Sequence, residues 1–174
     1  GYDENGNQTG PMAGGLVVFA AGNDNTSISY PAMYEKVFSV AAIAPDYKKA
    51  YYSNYGDWVS ISAPGGDANY SSGQIYSTLK NGQYGFRQGT SMACPQVSGV
   101  AALVVSYAGG PGFTNEELKR ILKQNASPVI FSYYPQYAGI MGSGVVDAFA
   151  SIASLSTIPP DAVADIDAVA YSNN

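Results

Sequence analysis

Apolar residues along the chain come in short unbroken runs, each closed by turn formers. Leu16-Val17-Val18-Phe19-Ala20-Ala21 stops at Gly22-Asn23, and Val37-Phe38-Ser39-Val40-Ala41-Ala42-Ile43 is a second run. Runs of this kind suit strands covered on both faces, as in a parallel sheet. Trp58-Val59-Ser60-Ile61-Ser62-Ala63 alternates and stops at Pro64-Gly65-Gly66, which predicts a third strand. Residues 74–79 and 84–87 flank Lys80-Asn81-Gly82-Gln83. An Asn-Gly pair between such segments predicts a hairpin.

The helical pattern follows. From 91 to 107 the chain is small and apolar on almost every side, with Ala93, Val97, Val100, Ala101, Ala102, Leu103, Val104 and Val105. Such a helix is expected to be central and buried. Gly109-Gly110-Pro111-Gly112 stops it. Thr114 with Glu117 three residues on predicts a capping box. The helix it opens turns Leu118, Ile121 and Leu122 inward and Lys119, Arg120 and Lys123 outward. A last helix is predicted over 145–154, with Val146, Phe149, Ile152 and Ala153 inward. Pro159-Pro160 ends the domain, so the expected division is 1–157 and 158–174. The second piece reads as a linker, a disordered terminus or the opening strand of a fibronectin-III-like domain. Together these elements predict a three-layer α/β fold, a mostly parallel sheet with flanking helices.

Composition narrows the functional classes. A chain of 174 residues can bury one real core. With 46% hydrophobic and 12% charged residues it is too apolar for a disordered chain. The net charge is -5, and 8 basic residues are spread thinly, so no nucleic-acid partner is expected. No unbroken apolar run reaches about 18 residues, so no membrane span is expected. Cys94 is the one cysteine and cannot form a disulfide within the chain. There is no histidine.

Ser91 is the first candidate for chemistry. It follows Gly89-Thr90 and opens the apolar helix. A serine at a helix start has unpaired backbone N–H groups beside it, donors suited to a developing oxyanion. By local physics alone, the same serine is more readily read as the cap of a core helix. Asn23 is a second candidate, although Gly-Asn-Asp-Asn is also good turn chemistry.

Gly89-Thr90-Ser91-Met92-Ala93-Cys94-Pro95-Gln96-Val97-Ser98-Gly99-Val100-Ala101-Ala102-Leu103 resembles the nucleophile block of the subtilisin-like serine proteases. Val17-Val18-Phe19-Ala20-Ala21-Gly22-Asn23 is similar to the oxyanion strand of that family. Tyr30-Pro31-Ala32, Tyr52-Ser53-Asn54-Tyr55-Gly56 and Ala63-Pro64-Gly65 resemble the stretch between them. The resemblance covers roughly residues 15–155 and implies peptide or protein substrates and an acyl-enzyme on Ser91. It implies that Asn23 donates to the oxyanion. Ala20, Ala21, Gly22, Ser29 and Thr90 would contact substrate, and Tyr30-Pro31 would be a cis bond. It also implies a weak cation site at the carbonyls of Ala32, Tyr34 and Val37, where calcium could bind. Ser60 stands near where the family has an acidic residue, which argues against that metal, and no cofactor is expected. Gln96 replaces a family histidine that is not part of the catalytic triad.

A serine nucleophile needs a base, usually histidine held by a carboxylate. The family order is Asp, then His, then Ser. The expectation is therefore a C-terminal portion of a catalytic domain whose missing N-terminal half carries both, leaving the isolated chain inactive. The alternative is a pseudo-protease scaffold that binds peptide or protein. The family also implies an extracellular or cell-envelope location. Half a parallel sheet leaves an edge uncovered, so self-association of the isolated chain is expected.

Overall fold

A computed structural model describes residues 2–155. Strands β1 (Val17–Ala20), β2 (Val37–Ile43) and β3 (Ile61–Pro64) form a parallel sheet in the order β1-β2-β3. Strands β4 (Ile75–Thr78) and β5 (Tyr84–Arg87) form a separate antiparallel hairpin. Four helices follow: α1 (Thr90–Ala108), α2 (Asn115–Gln124), α3 (Val129–Tyr133) and α4 (Ala148–Ala153).

Strand β2 is central, and its alternate side chains feed two cores. Phe38, Val40 and Ala42 pack with Ala93, Val97, Val100 and Val104 of α1 and with Leu118, Ile121 and Leu122 of α2. Ala41 and Ile43 point the other way and pack with Val59, Ile130, Met141 and Val145. Both faces of β2 are therefore covered, which explains its unbroken apolar run. The layers are those expected of an α/β fold with helices on both sides.

Several boundaries differ from the pattern. The third strand starts at Ile61, not at Trp58, because Trp58 turns aside and donates its indole N–H to Ser27 O at 2.9 Å. In α2, Thr114 Oγ1 accepts from Glu117 N–H at 3.1 Å as the cap requires. The reciprocal half of the box is absent, because Glu117 pairs with Arg120 instead. The last helix starts at Ala148, after Asp147 caps it by accepting from Ala150 N–H at 2.8 Å. Val145 is left to bridge Ser62 and Ser127. The helix phase then turns Ser151 to the core and leaves Phe149 82% exposed, with Ala153 also exposed. The inward assignment of Phe149 and Ala153 is thereby corrected. The five-residue α3 has no periodic signal in the sequence. The division after residue 157 lies outside the described residues.

The expectation for α1 also needs correction. Its length and apolarity match a membrane-crossing segment by composition. Its inner face is buried against the sheet, but Leu103 is 54% exposed, and Ser98, Gly99 and Ala102 are exposed too. A helix apolar all round asks for cover on every side, and these residues supply it on one. The uncovered side continues onto β1, the sheet edge, where Val17 is 58% exposed and Phe19 40%. Beside them, Met12, Leu16, Val18, Ala101 and Val105 line an open groove of about 580 Å³.

Tyr52 joins the end of β3 to the start of α1. Its hydroxyl donates to Gly66 O at 2.6 Å and accepts from Gly89 N–H at 2.9 Å. Gly65 lets the segments meet, since a Cβ there would lie 2.4 Å from that of Ala42 and 2.8 Å from the Tyr52 hydroxyl.

Two outcomes are expected. The isolated chain should self-associate through the β1 edge, giving more than a monomer mass by light scattering. Val17→Lys with Phe19→Lys should restore the monomer, and a wild-type monomer would refute the idea. Burial pushes the Tyr52 hydroxyl up to about 12, whereas an unfolded tyrosine ionises near 10. As pH rises from about 10 to about 12, the unfolded chain sheds a proton that the folded chain keeps, so stability falls across that window. Urea unfolding of Tyr52→Phe should show a shallower alkaline decline; the same slope as wild type would contradict this.

Candidate active site

The parallel strands end on one side of the sheet, where loops from two of them converge. Ligand sites in open parallel sheets lie at such ends. Residues 21–26 leave β1 there, and residues 65–66 leave β3. Gly89 N–H donates to Gly65 O at 3.0 Å, which sets the first turn of α1 against the end of β3. Ser91 lies in that first turn and is exposed. Its N–H has no carbonyl four residues back within the helix, and no partner among the described residues.

Asn23 meets the same turn from the other loop. Its Oδ1 accepts from Thr90 N–H at 2.9 Å and from Thr90 Oγ1 at 3.0 Å. A backbone N–H can only donate, so the Asn23 atom facing it must be oxygen. The Nδ2 group is thereby left free of Thr90, on the turn that carries Ser91. The arrangement offers two donors, Ser91 N–H and Asn23 Nδ2, next to one exposed hydroxyl. Such a pair suits a tetrahedral oxyanion.

Thr90 departs from its expected role. It is fully buried, so its side chain cannot touch substrate. Its Oγ1 also accepts from Gly22 N–H at 3.1 Å. Thr90 therefore positions both Gly22 and Asn23. The methyl of Ala21 is likewise buried, in the second core cluster. Ala20 does reach the site, lining with Ser91 a groove of about 470 Å³. Gly22 has φ of 103°, and a Cβ there would lie 2.3 Å from Asn54 Nδ2 and 3.1 Å from Ser29 Oγ. Ser29 is thus beside the loop, half-buried, with its N–H donating to Met33 Sδ.

Asn54 is the residue that sequence reasoning left without a role. It is buried, and its Oδ1 accepts from Asp24 N–H at 2.9 Å and Thr26 N–H at 3.1 Å. Its Nδ2 donates to Ala21 O at 3.0 Å. One carboxamide thus holds the loop on both sides of Asn23. The signal was present, since Asn54 stands in a stretch resembling the family, but its neighbours in sequence do not reveal its partners.

Tyr30-Pro31 is cis, as expected. Ala32 is buried, Tyr34 exposed, and Val37 opens β2. The carbonyl of Tyr34 accepts from Val37 N–H at 2.8 Å, and Ser60 Oγ accepts from Ser39 N–H at 3.2 Å. This donor set is neutral and partly engaged, and no cluster of three or more His, Cys, Asp or Glu exists among the described residues. It does not fit a calcium ion well, and no chemistry below runs through one. Burial lowers the Lys49 pKa. Its Nζ nevertheless donates to Asn25 Oδ1 at 2.7 Å and to the carbonyls of Ala50 and Ser53, not to Ser91.

The sequence matches the model of the subtilase family over residues 2–153. It is 41% identical over 150 residues to an extracellular basic protease of Dichelobacter nodosus, covering 80% of this chain and 23% of that protein. It is 39% identical over 137 residues to a thermostable alkaline protease of Halalkalibacterium halodurans, covering 78% of this chain and 34% of that one. Its structure is similar to a solved protease from Pseudoalteromonas arctica, with a TM-score of 0.70 and 38% identity over 81% of this chain and 43% of the other. The chain thus spans a quarter to a third of these curated relatives. The family match runs through nearly all of the described fold, Ser91 and Asn23 included, and this chain belongs to the subtilase family of subtilisin-like serine proteases.

Proposed function

We propose that the protein is a serine endopeptidase acting through an acyl-enzyme on Ser91, with its base supplied from outside these 174 residues. Ser91 Oγ attacks the carbonyl carbon of the scissile bond while the base takes its proton. The carbonyl oxygen becomes an oxyanion that accepts from Ser91 N–H and Asn23 Nδ2. The C–N bond then breaks, and the amine leaves with the proton from the base. Water hydrolyses the ester and restores Ser91. The observation that carries this reading is the Thr90 contact, which turns the Asn23 oxygen away and leaves its NH2 as a donor.

Without histidine in the chain, the hydroxyl of Ser91 has no ordinary base. An N-terminal half of the domain, outside these 174 residues, is the proposed source of that base and its carboxylate. The open face along β1 and α1 lies beside Ser91, where such a half would pack. Relatives named as extracellular proteases support an extracellular or cell-envelope setting. Peptides and proteins are the proposed substrates.

A fluorophosphonate probe should label Ser91 when the protein is expressed with its upstream gene sequence. The 174-residue chain alone should show no turnover and little labelling. Absence of labelling in the longer protein would favour a pseudo-protease scaffold that binds peptide without cutting it. Robust peptidase activity of the short chain would refute an external base. In the active protein, Asn23→Ala should lower kcat by about 10²–10³ with KM nearly unchanged, a range established on subtilisin itself. Thr90→Ala should lower kcat by about tenfold, since the Asn23 carboxamide loses one of two anchoring hydrogen bonds. Equal kcat for wild type and Thr90→Ala would remove Thr90 from the positioning role.

A further inference from the structure

Ser91 sits between two hollows. One is the groove along β1 that it shares with Ala20. The other is a cavity of about 760 Å³ between the β4–β5 hairpin and the first turns of α1, lined by Ser91, Ser77, Arg87 and Met92 among others. The first belongs to the open face where the N-terminal half would pack, which leaves the second for a side chain of a substrate bound with its scissile carbonyl at Ser91. Resting on the nucleophile assignment above, we propose that the hairpin cavity is a substrate subsite selective for an acidic side chain, and that Arg87 is its specificity-determining residue.

The hairpin register places Arg87 opposite Ile75, and Tyr76 opposite Phe86. Side chains alternate across a strand pair, so Ile75, Ser77, Gly85 and Arg87 share one face. Tyr76, Tyr84 and Phe86 share the other, with ring centroids 5.9 Å apart for Tyr76–Tyr84 and 4.9 Å for Tyr76–Phe86. That aromatic cluster stiffens the ribbon on the side away from Arg87. On the Arg87 face, Leu79 lies over Gly85, where a Cβ would meet Leu79 Cδ1 at 2.7 Å. Arg87 therefore extends from a rigid strand.

Among the described residues, Arg87 is the only charged one lining the cavity. Its Nη1 donates to Phe86 O at 2.7 Å, and no carboxylate pairs with it among the described residues. A guanidinium has five N–H donors in a fork that matches a carboxylate. Most of that fork is unspent. The chain carries a net charge of -5, so an unpaired cation beside the nucleophile is not part of a general basic surface. Glutamate or aspartate meets it with a bidentate pair, and a substrate lysine meets repulsion.

The test uses the protein expressed with its upstream sequence. Peptides identical except for Glu, Gln or Lys at each of three positions on either side of the cut are compared by kcat/KM, and the cut is located by mass spectrometry. At one position Glu should exceed Lys by roughly twofold to fivefold, as expected for an exposed pair. The preference should shrink as salt rises. Arg87→Ala should abolish it and Arg87→Glu should reverse it, with fluorophosphonate labelling of Ser91 confirming a folded site in each variant. Should Arg87→Glu fail to label, Arg87→Gln carries the same comparison. No charge preference at any position, or one that survives in Arg87→Ala, overturns the proposal while leaving the nucleophile assignment standing. No cleavage of any peptide and no labelling overturns both.

Discussion

The contact between Asn23 and Thr90 is the interaction on which the site depends. It joins residues 67 positions apart in sequence and ties the end of β1 to the start of α1. Each partner uses what the other leaves spare. Thr90 N–H is an unpaired donor of a helix start, and Asn23 Oδ1 is a free acceptor at a strand end. Once they meet, the carboxamide has one orientation, and its NH2 becomes a fixed donor near Ser91. Preorganisation of that kind matters because it removes reorientation from the moment of reaction.

The surrounding packing keeps this contact in place. Asn54 bonds the loop before and after Asn23, so the loop cannot swing without breaking hydrogen bonds to a buried side chain. Tyr52 and Gly65 hold the helix start from the β3 side. Behind them, β2 is buried on both faces and gives the two loops a common frame.

The exposed side of α1 is different. Its apolar residues and those of β1 are exposed, so the chain presents core chemistry to solvent. Large contiguous apolar patches of this sort mark surfaces that another piece of protein covers. The nucleophile lies at the rim of that patch, so the same docking that would complete the core would also bring groups to Ser91.

Much of this was legible in the sequence because it is local. The apolar runs of β1 and β2, the Asn-Gly hairpin and the Thr114 cap each depend on neighbours within a few residues. Ser91 and Asn23 were legible through long, spaced blocks that resemble a family. What only the tertiary structure decided involves partners far apart in sequence. Thr90 looks like a pocket residue until its burial shows that it orients Asn23. Asn54 and Tyr52 have no local signal for their hydrogen bonds. Which face of α4 meets the core, Ser151 rather than Phe149, was settled by packing and not by the apolar pattern. The sequence by itself determined that Ser91 opens an apolar helix in a chain without histidine. The tertiary structure decided that this helix start meets the loop of Asn23, because only folding brings an unpaired helix N–H and a strand-end carboxamide within hydrogen-bond distance.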